Sequence, residues 1–163
     1  MIHAKENRGG SPVGFINELD GIEAASVIYL RLWGDSAESK SSVWNDFAAS
    51  LGSKQSRNAL KSFEDLCRMC GQHGRRPLVR HAVGCKCVGS DEACFANFIR
   101  TASLGDRNDA MLIATLLVRP DIAPMLTALA MDFGLALRRM NLSNAHETTD
   151  STPEFRAHQP TLH

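Results

Sequence analysis

The sequence predicts an all-α fold: a compact bundle of five to six helices, interrupted by one cysteine-rich loop between the third and the fourth. Three observations predict it. Apolar residues recur at steps of three and four over most of the chain between Phe15 and Leu137. Residues that start and stop helices stand at the ends of those stretches. No segment alternates apolar and polar side chains as a half-buried strand does, apart from the short stretch LVRHAV at 78–83, which leaves room for a small hairpin beside the cysteines. A chain of 163 residues with 44% hydrophobic content and 22% charge buries one sizeable core and offers no natural split. The expected organisation is a flexible leader over 1–12, one helical domain over 13–140 and a polar tail over 141–163.

Each element has its own warrant. Phe15, Leu19, Ile22, Ile28 and Trp33 fall near one face of a first helix that runs to about Trp33, with Gly21 as a point of interruption. The stretch GDSAESKSS then reads as a break. Val43, Trp44, Phe47 and Leu51 form a second helix, ended by Gly52. From Ser53, a third carries Leu60, Phe63, Cys67 and Cys70 and closes at Gly71, since glycine commonly follows a last helical turn. Ser90 offers a capping hydroxyl to a fourth helix, with Asp91 and Glu92 near the positive end of its dipole; Cys94, Phe95, Phe98 and Ile99 lie on it, and it stops near Gly105. Asp106 opens a fifth, rich in Met111, Leu112, Leu116 and Leu117, that ends before Pro120. Asp121 caps a sixth, with Pro124 in its first turn and Ile122, Met125, Leu126, Leu129, Phe133 and Leu137 along one side. From Asn141 the chain turns polar and poor in aromatics, the composition of a disordered tail.

Eighteen basic and eighteen acidic residues cancel, so the whole-protein field favours no nucleic acid, membrane surface or polyanion. No apolar run approaches the roughly 20 residues that span a bilayer, and the opening MIHAKENRGGSPVG lacks the hydrophobic stretch of a signal peptide. Five cysteines, an odd number gathered in one part of the chain, suit a reducing compartment better than a disulfide framework. A cytoplasmic protein with no membrane association is therefore expected.

The most informative segment is CRMCGQHGRRPLVRHAVGCKC, Cys67 to Cys87, which holds four of the five cysteines, five basic side chains and no acid. A structural zinc site needs four ligands around a tetrahedron, usually as two close pairs. Cys67 and Cys70 make one pair and Cys85 and Cys87 the other, with His73 and His81 in reserve, and the intervening loop with its glycines is long enough to return on itself. Zinc is the expected metal, ahead of an iron–sulfur cluster to which Cys94 would add a thiolate. Cations near thiolates favour the ionised form, so Arg68, Arg75, Arg76, Arg80 and Lys86 are explained in part by the sulfurs themselves. The rival account treats the cysteines as small core hydrophobes; it suits Cys94 and the apolar stripe bearing Cys67 and Cys70, and suits Cys85 and Cys87 least. A redox role for Cys67 and Cys70 is disfavoured by their place at the end of a helix, where the dipole opposes a thiolate.

A second functional class is DNA binding. FAASLGSKQSRNALKSF has a helix-turn-helix outline, with Leu51-Gly52 at the turn and Lys54, Gln55, Arg57 and Asn58 at the start of the next helix, side chains of the kind that read bases and phosphates. Ser53 and Asn58 stand where that motif usually has apolar residues, and a polar helix start is ordinarily a solvated face. Phosphate loops, dinucleotide fingerprints, zinc-protease and nucleophile-elbow motifs do not occur in the sequence. The sequence therefore points to structure or binding rather than turnover: a regulatory module whose loop is held by zinc and presents Arg75, Arg76, Arg80 and His81 to a protein or a phosphate-bearing ligand. A DNA-binding regulator is the alternative, and a thiol redox protein the third reading. The apolar helices from 107 to 140 can close an internal core or pair with a second copy in a homo-oligomer.

Overall fold

The computed structural model describes residues 8–150, with side chains as far as residue 142. The leader before Arg8 and the tail after Asp150 lie outside the described residues. Five helices form the body: α1 (Gly21–Asp35), α2 (Ala37–His73), α3 (Ser90–Ser103), α4 (Arg107–Leu117) and α5 (Ala123–Asp150). Two short strands, β1 (Pro12–Phe15) and β2 (Cys87–Gly89), pair antiparallel across the start of the chain and the end of the cysteine loop. None of the helices among the described residues is long and apolar enough to cross a membrane.

The differences from the sequence expectation have local causes. Phe15 belongs to β1 rather than to the first helix, which begins at Gly21 because Asp20 caps it, accepting from the Glu23 N–H at 2.8 Å. The break expected over GDSAESKSS shrinks to Ser36, whose hydroxyl caps α2 by accepting from the Ser39 N–H. The expected second and third helices run on as α2, broken only at Gly52 with φ 77 and ψ 171, a region that residues bearing a Cβ essentially do not enter. LVRHAV is irregular; the strand lies after it, and its partner comes from the chain's start, so no hairpin forms within the loop. In β1–β2 Pro12 faces Gly89, Gly14 faces Val88 and Phe15 faces Cys87, with an irregularity at Val13. The cap of α3 shifts to Gly89, whose N–H donates to Glu92 three residues on, while the Ser90 hydroxyl donates to the Arg8 carbonyl. The last helix continues beyond residue 140 to Asp150.

α5 packs against α1, α2, α3 and α4. At its centre Phe133 stacks on Phe63, centroids 4.4 Å apart and planes within 14°, and lies parallel to Phe47 at 6.1 Å. Tyr29 and Trp33 of α1 meet Phe47 and Phe63 edge-on. Leu30, Leu60, Leu66, Phe95, Phe98, Ile99 and Leu126 complete a fully buried core. A smaller cluster of Val27, Val88 and Ala96 fastens β2 to α1 and α3. The far end of α2 is tied to α4 where Gly74 bridges Val118: Arg75 N–H donates to the Leu117 carbonyl and Arg119 N–H to that of His73. The loop from Gly74 to Lys86 therefore leaves α2 at one fixed point and enters β2 at another.

Candidate thiol site

A single charged residue, Arg31, sits inside the apolar run IYLRLW of α1 and is 2% exposed. Burying a guanidinium costs far more than it returns unless every donor finds an acceptor. Here its Nε and one Nη donate to the two carboxylate oxygens of Glu92 at 2.7 and 2.9 Å. The remaining donors go to the backbone carbonyls of Ala82 at 3.2 Å, Cys85 at 2.6 Å and Cys87 at 2.6 Å. The loop thus wraps a buried cation. Glu92 also accepts from the His81 and Gly89 N–H groups at 2.9 and 3.0 Å. Burial pushes its carboxyl up, but the bonds from Arg31, Gly89 and His81 outweigh that and hold it below the usual carboxylate range. Next to it, Asp91 takes both guanidinium nitrogens of Arg76 and the Val79 N–H at 2.8 Å. Two adjacent carboxylates at the start of α3, with Arg31 opposite, fix the course of the loop.

That course brings Cys85 to His81. A turn closed by Cys85 N–H to the Ala82 carbonyl at 2.9 Å sets the sulfur 3.5 Å from His81 Nδ1. The other ring nitrogen, Nε2, lies 2.6 Å from the carbonyl of Gly10, in the segment just before β1. A carbonyl only accepts, so Nε2 carries the proton and Nδ1 is the atom that exchanges one with the thiol. The Gly10 carbonyl and then Cys85 raise the imidazole's pKa above its usual value, against a smaller opposing effect of burial. His81, and after it the N–H of Cys87, lower that of the Cys85 thiol. The sulfur is partly exposed, and clefts open on two sides of His81. One of about 430 Å³ is lined by Gly10, Ser11, Pro12 and Val79; the other, of about 290 Å³, includes Arg31, Gly34, Arg80 and Val83.

The other thiols are set differently. Cys67 and Cys70 lie in the last turns of α2, and burial pushes both up to about 12, with Arg80 offsetting part of the effect. Cys94, on α3, is raised by burial and then by the charge of Asp91. Cys67 and Cys70 therefore face the core and Arg80, whereas Cys85 faces His81 and Cys87 begins β2. Among the described residues no three His, Cys, Asp or Glu side chains gather as a possible metal-ion ligand set, so the four cysteines and the reserve histidines His73 and His81 are not brought together around one point. Arg75 donates to the Thr115 carbonyl and Arg76 to Asp91, while Arg80 lies across Gly34 of α1. Lys54, Gln55, Arg57 and Asn58 are exposed just past Gly52; Arg57 bonds back to the Ser53 carbonyl, and Gln55 and Asn58 line a groove between α2 and α5.

Sequence reasoning overlooked Arg31 and Gly10, and read Glu92 only as a carboxylate at a helix start. The first left a trace, because a lone arginine with leucine on both sides in an apolar helix has to find a buried counter-charge. The H-x-x-x-C spacing of His81 and Cys85 was equally visible as a potential base and thiol. Gly10 left none, since its backbone carbonyl meets His81 across seventy residues. Compared with protein-family models, curated proteins and solved structures, the chain matches none of them.

Proposed function

We propose that this protein is a thiol-reactive module in which Cys85 is the reacting group, His81 its base, and the helical body the scaffold that fixes both. The observation that carries the reading is the relay from Gly10 carbonyl to His81 to Cys85, at 2.6 and 3.5 Å. A thiol attacks only as its thiolate, and a histidine oriented by a third group is the usual means of forming one near neutral pH. Here the proton leaves Cys85 Sγ for His81 Nδ1, giving a thiolate beside an imidazolium that Gly10 stabilises through Nε2–H. Cys85 is partly exposed and clefts open beside the imidazole that serves it, which supports access by a small reagent. Cys70, buried, and Cys67, partly buried against the core, have their thiol pKa values pushed up by desolvation, which suppresses their thiolates and leaves them as packing residues in this reading.

Limiting alkylation with iodoacetamide across a pH series, followed by peptide mapping, tests this reading. At neutral pH Cys85 is expected to be labelled well ahead of Cys67, Cys70 and Cys94, with an inflection below the ordinary thiol value of 9.0. His81→Phe is expected to move the inflection up toward that value, since His81 is the largest cause of the lowering. Labelling of Cys85 that is no faster than that of Cys67, Cys70 and Cys94, or is indifferent to His81→Phe, would overturn the reading.

A further inference from the structure

We infer that Cys85 and Cys87 form a dithiol–disulfide couple that exchanges with small-molecule disulfides, Cys85 attacking and Cys87 resolving. The inference rests on the proposed reactivity of Cys85 and adds its substrate class. The backbone supplies the argument. The carbonyls of Cys85 and Cys87 both turn to Arg31, while the carbonyl of the intervening Lys86 turns the other way and accepts from the Ile16 N–H at 2.9 Å. Alternation of carbonyls is the mark of an extended segment, in which residues two apart share a face. The two sulfurs therefore lie on one face, with the exposed Lys86 on the other.

The spacing also decides what kind of couple it is. Two residues of strand span roughly 6.4–6.8 Å between Cα atoms, and disulfides require about 4.4–6.8 Å. The pair can close, but at the limit of its reach, so closure bends the chain at Lys86 against the grip of Arg31 and β1. A bond formed under such strain is readily reduced, which suits reversible exchange rather than a structural staple. The chemistry balances without another oxidant. The Cys85 thiolate attacks one sulfur of R–S–S–R, forming Cys85–S–S–R and releasing RS⁻. Cys87, giving its proton to solvent, attacks the Cys85 sulfur and releases a second RS⁻, leaving the Cys85–Cys87 disulfide; the small disulfide is reduced by two electrons to two thiolates.

The test uses the full chain in a Cys94→Ala background with 5,5′-dithiobis(2-nitrobenzoate), whose released thiolate is coloured. Tryptic cleavage after Lys86 separates Cys85 from Cys87. The expected result is two equivalents of chromophore in the fast phase and tryptic peptides 81–86 and 87–100 still joined by a disulfide. Cys87→Ser is expected to halve the release and to leave the aryl disulfide on Cys85, with the unfolding midpoint unchanged as a check on folding. Fast reaction at Cys85 that stops at one equivalent in the parent, with the aryl group retained, overturns the inference and leaves the reactive thiolate standing. A Cys85 that reacts no faster than an ordinary thiol removes both.

Discussion

Arg31 of α1 and Glu92 of α3 commit two opposite charges to the interior. Their side chains are 1% and 0% exposed, so removing one charge strands the other in a medium that solvates it poorly. Glu92→Gln is expected to cost about 3–5 kcal/mol in urea unfolding. Replacing both partners by apolar residues often recovers such a loss, but not here, because the carbonyls of Ala82, Cys85 and Cys87 would also lose the guanidinium donors that Arg31 supplies to them. The pH dependence has a definite sign. A carboxyl held below its ordinary 4.5 in the folded chain binds protons more readily when unfolded, so its contribution is complete above 4.5 and disappears as the pH falls through the lower folded value. The acid limb of the stability profile should therefore be shallower in Glu92→Gln than in the parent. At this scale the sequence was least legible: an ion pair sixty-one residues apart has no period, and only the oddity of Arg31 among leucines announced it.

The helices were largely legible, because burial of one face imposes a period that any single sequence displays. What escaped was the length of α2 and the pairing of β1 with β2. Strands of three and four residues carry too few positions to show alternation, and their partners are set by the surrounding packing. The break within α2 was legible in kind, since Gly52 marks it, though its geometry was not. Nothing lies within 4 Å of a Cβ placed at Gly52, so the cost of Gly52→Ala is one of backbone alone, about 1–3 kcal/mol by thermal or urea unfolding. Asparagine, which tolerates ordinary left-handed turns, is expected to give no relief at ψ 171. At Gly134 the cause is opposite: a Cβ there would meet Ser103 Cβ at 2.8 Å and the Ile99 carbonyl at 3.1 Å, where α5 crosses α3. Gly134→Ala should therefore force these helices apart, at about 1–3 kcal/mol.

The whole molecule is organised around α5, and the stack of Phe47, Phe133 and Phe63 joins both halves of α2 to it. Phe133→Ala is expected to lower stability by about 3–5 kcal/mol, measured by urea unfolding, and to loosen the packing on either side of Gly52 together. The helical body and its apolar faces were readable from composition and period; of the thiol site only the spacing of His81 and Cys85 was, because the rest is assembled from the beginning, the first helix and the start of α3. Long-range meeting of that kind has a consequence for how the chemistry arises during synthesis. Contacts between residues distant in sequence form late, after the entropy of closing long loops has been overcome. Gly10 leaves the ribosome early, but it has no histidine to orient until residue 81 follows, and the loop has no carboxylate to wind around until Glu92 does. On the proposed reading, Cys85 of a nascent chain lacks the imidazole that Gly10 orients and is expected to react as a less activated thiol. In the same reading its activation reports that the segment around Gly10, α1 and α3 have come together, so the reactivity of this cysteine is a readout of that one long-range assembly.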